Sequence, residues 1–243
     1  MALLQAVVDR ERSGRAGFSA SRLAEHTAIE RSRTSRLTQE LTDLGFLEKG
    51  EGAAFRVGPA YFELARARHA PWLRAARPEL RRIAAERGAV TRISTLDGAR
   101  AVLLRYESAP GAPSAATTAG MVTPVWCTGA GRALLWADDR ESLESRLEGI
   151  EFVGVGGPNA AQSCDEVQAR MDRDRAAGYV RAVEEFEYGI TETAVPILVP
   201  GPRGHSIVIG ALSAATRSND ERALHGLGAE LLASAQQLAA LAS

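Results

Sequence analysis

Ser19 to Leu47, SASRLAEHTAIERSRTSRLTQELTDLGFL, divides into two short helical patterns with a break between them. Leu23 and Ala24 form the apolar stripe of the first, which Ser19 or Ser21 opens by capping orphan backbone N–H groups. A turn is predicted over Thr27 to Glu30. In the second pattern, Arg31 to Leu44, Leu37, Leu41 and Leu44 recur at i, i+4 and i+7, so that face packs inward and the other stays free. Between Arg31 and Thr38 the free positions are Arg31, Ser32, Arg33, Thr34, Ser35, Arg36 and Thr38, with no acid among them. Upstream, Leu3, Leu4, Val7 and Val8 predict a helix over 2–12 that packs across this pair. Downstream, the glycines from Gly45 to Gly52 separate two short apolar stretches. They predict a hairpin in which Phe46 and Leu47 pair with Phe55 and Val57.

Beyond Gly58-Pro59 the pattern continues with Tyr61, Phe62, Leu64 and Ala65, a linker helix interrupted at Pro71. A further helix starts at Trp72 or Pro78 and runs to Arg87 on Leu80, Ile83 and Ala84. Strands and helices then alternate. Val90 to Leu96 and Ala101 to Tyr106 flank Asp97-Gly98, a hairpin signal, and Met121 to Val125 is a short strand. Helices are predicted over Gly129 to Ala137, Arg140 to Leu147 and Asp165 to Ala177. Strands follow at Tyr179 to Val183, Glu192 to Val199 and Ser206 to Ser213, then a long closing helix from Asn219 to Leu241. The fold class is α+β: a winged helix-turn-helix over 1–58, a linker helix over 59–76, and an antiparallel sheet with flanking helices over 77–243.

The free face of the second helix suits DNA. Arginine forks onto guanine edges or phosphates, and serine and threonine reach phosphate oxygens with side chains short enough to let a helix sit deep in the major groove. Ser21 and Arg22 on the preceding helix join Arg31, Ser32, Arg33, Thr34 and Arg36 in the DNA-facing set. Lys49 and Arg56 on the wing reach flanking phosphates, although Glu48 and Glu51 dilute the local charge. Residues 1–70 carry a net charge of +2 within a chain of net charge −1, so the electrostatic footprint is confined to one surface. A helix pair with scattered arginines also occurs in domains that bind only protein, and that alternative stands. Two cysteines, no leader-like start and no apolar run near the ~20 residues of a membrane span point to a cytoplasmic protein that is neither secreted nor membrane-embedded.

Candidate small-molecule chemistry gathers at 126–131 and at Glu192. Thr128 caps a helix beginning Gly129-Ala130-Gly131, which is either a site whose free N–H groups attract a ligand carbonyl or carboxylate oxygen or an ordinary helix start with glycines for close packing. Trp126 either walls an aromatic ligand or packs in the core. Glu192 either faces the pocket, where it favours a ligand bearing N–H or O–H donors or a cation, or faces solvent on an edge strand. The effector predicted is a small aromatic or carbonyl-containing metabolite such as an acid, amide or hydrazide. An enzyme reading would use Cys127 as nucleophile with His205 or His225 as base. His26, His69, His205 and His225 with two distant cysteines show no metal-ligand spacing, and no phosphate-binding glycine motif is present, so no cofactor is expected.

Three stretches together carry a resemblance. They are Gly45-Phe46-Leu47 after the second helix, Pro124 to Leu135 (PVWCTGAGRALL), and Gly178-Tyr179 followed by Glu184-Glu185 and Gly189-Ile190. In this order and at these separations they resemble the IclR family of bacterial transcription regulators, across nearly the whole chain. The resemblance implies a winged helix-turn-helix, a linker helix and a GAF-like effector-binding domain, working as a homodimer or homotetramer on a palindromic operator. It places recognition contacts on Ser32, Arg33, Thr34 and Arg36, and the effector loop on Trp126, Cys127, Thr128, Gly129 and Ala130. Further ligand positions fall on Val183, Glu192, Ala211 and Ser213. Many members have His where Trp126 stands and a small residue or Cys where Glu192 stands. The function implied is a ligand-responsive regulator, a repressor released by its effector; the alternatives are a sensor with a protein-binding helix-turn-helix and a Cys127-dependent enzyme.

Overall fold

Helix α1 (Ala2–Arg12) buries Leu3, Leu4, Ala6 and Val7 in one cluster with Leu23, Leu47, Phe55 and Val57, and this cluster is the core of the N-terminal unit. The computed structural model divides into two such units, Met1–Ala70 and Pro71–Ser243. It describes residues 2–12, 17–50, 52, 54–60, 71–113 and 117–242. Ser19, one of the two candidate caps, opens α2 (Ala20–Thr27) by accepting from the Arg22 N–H. Ala28 closes it at φ 55°, and Glu30 caps α3 (Arg31–Asp43). The predicted turn therefore falls where expected.

The inward face of α3 differs from the leucine stripe. Thr34 and Thr38 are buried, Leu37 and Leu41 are half-buried, and Leu44 is 64% exposed. Thr38 Oγ1 donates to the Thr34 carbonyl at 2.9 Å, and Thr34 Oγ1 donates to the Ile29 carbonyl at 3.3 Å. A threonine satisfied by its own backbone presents only a methyl group to its neighbours, so it packs as a small apolar residue. Thr34 is thus withdrawn from the DNA-facing set. Leu44 lies past the last turn as the C-cap and escapes the interface its spacing suggested.

Strands β1 (Leu47–Lys49) and β2 (Phe55–Val57) form the wing, with Leu47 opposite Val57 and Lys49 opposite Phe55. Phe46 stays outside this ladder, although its carbonyl accepts from the Gly58 N–H at 2.9 Å. An additional bridge comes from Phe18, whose carbonyl accepts from the Phe55 N–H at 2.8 Å. The linker-helix positions Tyr61 to Ala67 lie outside the described residues.

The second unit opens with α4 (Pro71–Arg87), which carries Pro78 in its interior. Its sheet comprises β3 (Val90–Asp97), β4 (Arg100–Ser108), β5 (Val122–Pro124), β6 (Val180–Val183), β7 (Ile190–Pro200) and β8 (Ser206–Arg217). These pair antiparallel in the order β5-β4-β3-β8-β7-β6. Between β5 and β6 run α5 (Gly129–Leu134), α6 (Arg140–Leu147) and α7 (Cys164–Ala177), each opened by a side-chain cap, Thr128, Asp139 and Ser163. α5 ends three residues before the predicted boundary. The long closing helix is two, α8 (Glu221–Leu224) and α9 (Leu227–Ala240), because Gly226 between them takes φ 70°, a backbone state glycine adopts freely.

Period-two alternation assigns the faces of the sheet. Thr91 Oγ1 donates to the Leu80 carbonyl of α4 at 2.9 Å, which puts Thr91 and Ile93 on the α4 side. Arg82 of α4 pairs with Glu79 and Glu86 of its own helix and ties that layer to α9 through Glu230. Arg92 and Ser94 of β3, Glu192 and Ala194 of β7, and Ser213 and Ala215 of β8 take the opposite face, which α5 covers.

Candidate ligand cavity and nucleic-acid face

The exposed side of α3 carries Arg31, Ser32, Arg33, Ser35 and Arg36, and Ser21, Arg22, Lys49 and Arg56 are exposed on the neighbouring elements of the same unit. Not all are equally free. Ser32 is held by Glu30, which accepts from its backbone N–H at 3.1 Å and from its hydroxyl at 2.6 Å. The hydroxyl bond is the foremost reason the Glu30 carboxyl stays below its usual range. Arg31 sits 3.4 Å from Glu25 in a solvent-exposed pair, an arrangement that contributes little energy. Arg56 lies opposite Glu48 across the wing. A shallow groove of about 330 Å³ brings together Ser21 at the start of α2, Ser35, Thr38 and Gln39 of α3, and Lys49 of the wing. Gln39 was not singled out from the sequence, yet it shares this groove with residues that were.

In the second unit, β3, β4, β7 and the start of α5 enclose a cavity of about 50 Å³. Cys127, Thr128, Gly129, Ala130 and Glu192 line it, together with Arg92, Ser94, Leu103, Met121, Phe186 and others. Glu192 settles on the inner side: it is 8% exposed. Its Oε2 accepts from the Gly129 N–H at 2.8 Å and its Oε1 from the Ser213 hydroxyl at 2.7 Å. From sequence, the helix start was expected to hold a ligand oxygen and Glu192 to hold a ligand donor; in the folded unit the two satisfy each other. Gly129 makes that contact possible, since a Cβ there would lie 2.9 Å from Glu192 Cγ. At Gly131 a Cβ would lie 2.3 Å from the Val125 carbonyl oxygen, so only glycine lets α5 leave the strand so tightly.

Arg92 is the functional candidate that sequence reading missed. Its Nη2 donates to Thr117 Oγ1 at 3.2 Å and its Nη1 lies 3.7 Å from Glu192 Oε1. Among the described residues its buried Nε has no acceptor. Three expected ligand positions fall elsewhere. Trp126 is 3% exposed in the hydrophobic core, 5.2 Å from the Phe152 ring, and does not wall the cavity. Ala211 is buried in that same core. Val183, on edge strand β6, lines an open groove beside Arg132, Arg170, Asp174 and Glu185. Ser213 reaches the cavity only through Glu192.

That groove overlies a buried charge network. Arg132, 1% exposed, donates Nε to Asp174 Oδ2 at 2.7 Å and Nη1 to Glu185. Glu185 also pairs with Arg170 at 2.9 Å. Burial alone would lower the Arg132 pKa, but Glu185 and Asp174 outweigh it and the net shift is upward.

Cys127 is a poor nucleophile. Burial, reinforced by the Glu185 and Glu192 charges, pushes its thiol up to about 12, the reverse of the lowering expected at a helix start. Neither His205 nor His225 lines the cavity. Because the folded state holds the proton above the ordinary value of 9.0, stability associated with this thiol declines as pH rises from about 9 to about 12. Iodoacetamide at pH 8 should label half-buried Cys164 first, and Cys127 about a hundredfold more slowly, through opening of the unit. Peptide mass spectrometry reads this directly, and equal rates would contradict the buried assignment.

Among the described residues no group of three or more His, Cys, Asp or Glu side chains is placed to hold a metal, and no helix is long and apolar enough to cross a membrane.

Residues 65–240 match the family described as bacterial transcriptional regulator IclR C-terminal, and residues 7–51 match the IclR helix-turn-helix domain. The Pca regulon regulatory protein of Pseudomonas putida is 26% identical over 200 residues, covering 81% of this chain and 67% of that protein. An HTH-type transcriptional regulator of Mycobacterium tuberculosis is 26% identical over 197 residues, covering 76% and 75%. Both are regulators of transcription, not enzymes. The crystal structure of an IclR homolog complexed with 4-hydroxybenzoate, from Microbacterium hydrocarbonoxydans, superposes with a TM-score of 0.75 at 24% identity, covering 99% of this chain and 98% of that one. From its paired helix-turn-helix and sheet units to its matched families, the chain belongs to the IclR family of bacterial transcriptional regulators.

Proposed function

We propose that the chain is a repressor of transcription, released from its operator when a small carbonyl-containing molecule enters the cavity beside Glu192. One observation carries the reading: a mostly apolar cavity is lined by Arg92, whose Nη1 makes no hydrogen bond among the described residues, and by Glu192, in the same chain as a helix whose exposed face bears Arg33 and Arg36. Ser21, Arg22, Arg31, Ser32, Lys49 and Arg56 supply further contacts to phosphate. A homodimer or homotetramer on a palindromic operator in the cytoplasm is the working form, since one helix-turn-helix reads only a half-site. Paired half-sites lie about 34 Å apart or a multiple of it, so a change in the spacing of the two recognition helices removes affinity. An effector that prefers the released state tenfold supplies about 1.4 kcal/mol of coupling per site.

A structural neighbour supports a carbonyl-containing ligand, since it was solved in complex with 4-hydroxybenzoate. Size qualifies the aromatic part of this reading. The cavity of about 50 Å³ is well short of the ~150 Å³ that accommodates benzene in an apolar core. A ring therefore requires rearrangement of its wall, where Met121 is the most adaptable side chain.

The test is a salt-dependent titration of the full chain against DNA from its own upstream region, repeated with small acids and amides. The expected result is specific binding whose log affinity falls with log salt by about 0.9 per phosphate neutralised, weakened at least tenfold by one class of compound. Absence of specific binding at every salt concentration would overturn the DNA-reading assignment.

A further inference from the structure

We infer that the cavity selects an uncharged ligand presenting a carbonyl oxygen beside an N–H donor, a primary amide or a close analogue, over the carboxylate of the same shape. The inference rests on the proposed effector role of the cavity and names the chemistry it recognises.

A carboxylate offers about four lone-pair positions. Glu192 fills two with the Gly129 N–H and the Ser213 hydroxyl, and Arg92 at 3.7 Å is an ion pair too long for a hydrogen bond. It retains room to accept from a ligand. Arg92 has the complementary capacity: Nη2 donates to Thr117, while Nη1 makes only the 3.7 Å ion pair and no hydrogen bond among the described residues. Both line the same small space. An occupant that meets both needs carries one acceptor and one donor close together.

Charge then separates the amide from the acid. Arg92 stands against two carboxylates in the lining, Glu192 and Glu187, so the cavity carries no excess positive charge, and the remaining wall is largely apolar with Leu103, Met121 and Phe186. A carboxylate would be attracted by Arg92 and repelled by Glu192 over similar distances. It would still bear the full cost of leaving water. It has no N–H for Glu192, and the start of α5 is already occupied by the Glu192 carboxylate itself. A neutral amide avoids the repulsion, supplies the missing acceptor to Arg92 and donates to Glu192.

Isosteric pairs isolate this effect: propionamide with propionate, and benzamide with benzoate, titrated calorimetrically into the full-length protein and into the Glu192→Gln variant. In the unaltered protein each amide should bind at least tenfold more tightly than its acid. In Glu192→Gln the acid should gain about tenfold while the amide changes less than about threefold. The ranking in the unaltered protein is decisive by itself should the variant fold poorly. An acid binding as tightly as its amide overturns the charge selection and leaves the effector role standing. No binding by either pair at millimolar concentration overturns both.

Discussion

Joint replacement of Arg33 and Arg36 by alanine is expected to lower operator affinity by about 30-fold to 20,000-fold, because each good base contact contributes about 1 to 3 kcal/mol. Both side chains are exposed on α3 and neither has an acidic partner within ion-pair distance among the described residues, so their guanidinium groups are free to meet DNA. For the same reason the variant should keep its fold, since surface substitutions without partners usually stay within about 0.5 kcal/mol. If one arginine serves a phosphate, the slope of log affinity against log salt should fall by about 1. Thr34→Val provides the contrast: its hydroxyl is buried and turned to the Ile29 carbonyl, so any effect should appear in stability and not in the salt slope. Fluorescence anisotropy with labelled operator separates these outcomes. A double variant that retains affinity within threefold, with an unchanged slope, would show that this face of α3 does not read DNA.

Local features of the fold were legible in the sequence because their causes are local. Ser19 and Thr128 cap helices through side-chain oxygens three residues ahead of the N–H they satisfy, and Asp97-Gly98 closes a hairpin within its own four residues. α3 shows where that reading stops. Thr34 and Thr38 look polar letter by letter, yet each returns its hydroxyl to the backbone and offers the core a methyl group, so the buried stripe runs Thr34, Leu37, Thr38, Leu41. Leu44 loses its place to them. The cavity was half legible for a different reason. Glu192 stands out as a carboxylate in an apolar strand, and the small residues around Gly129 mark a close approach. Arg92 lies a hundred positions earlier, and it meets Glu192 only because β8 pairs with both β3 and β7. Strand order across a sheet has no signature in either segment. Trp126 illustrates the converse: adjacent to the cavity loop in sequence, it turns to Phe152 and the core.

The pairing of Arg132 with Asp174 and Glu185 is equally invisible in sequence, since 42 and 53 residues separate the partners, and it carries the largest stability effect expected in the second unit. Arg132→Met should destabilise the fold by about 3 to 5 kcal/mol, the range for removing one partner from a buried ion pair. In a unit of this size that corresponds to a fall of roughly 6 to 20 °C in Tm. The cause is not the lost attraction but the stranded charge. Glu185 keeps Arg170 at 2.9 Å, whereas Asp174 loses its guanidinium partner and keeps only a 3.5 Å bond from the Arg181 N–H. Neutralising Asp174 should therefore rescue more than neutralising Glu185, so Arg132→Met/Asp174→Asn should recover more stability than Arg132→Met/Glu185→Gln. Urea denaturation of the three variants measures the order, and equal rescue by both would show the two carboxylates to be equivalent. The network also bears on the ligand site, because Arg132 lies on the same six-residue helix whose first N–H holds Glu192. Tying that helix to α7 and to the segment after β6 keeps Gly129 in place. Ligand affinity should accordingly weaken in Arg132→Met and return in step with stability in the Asp174→Asn background.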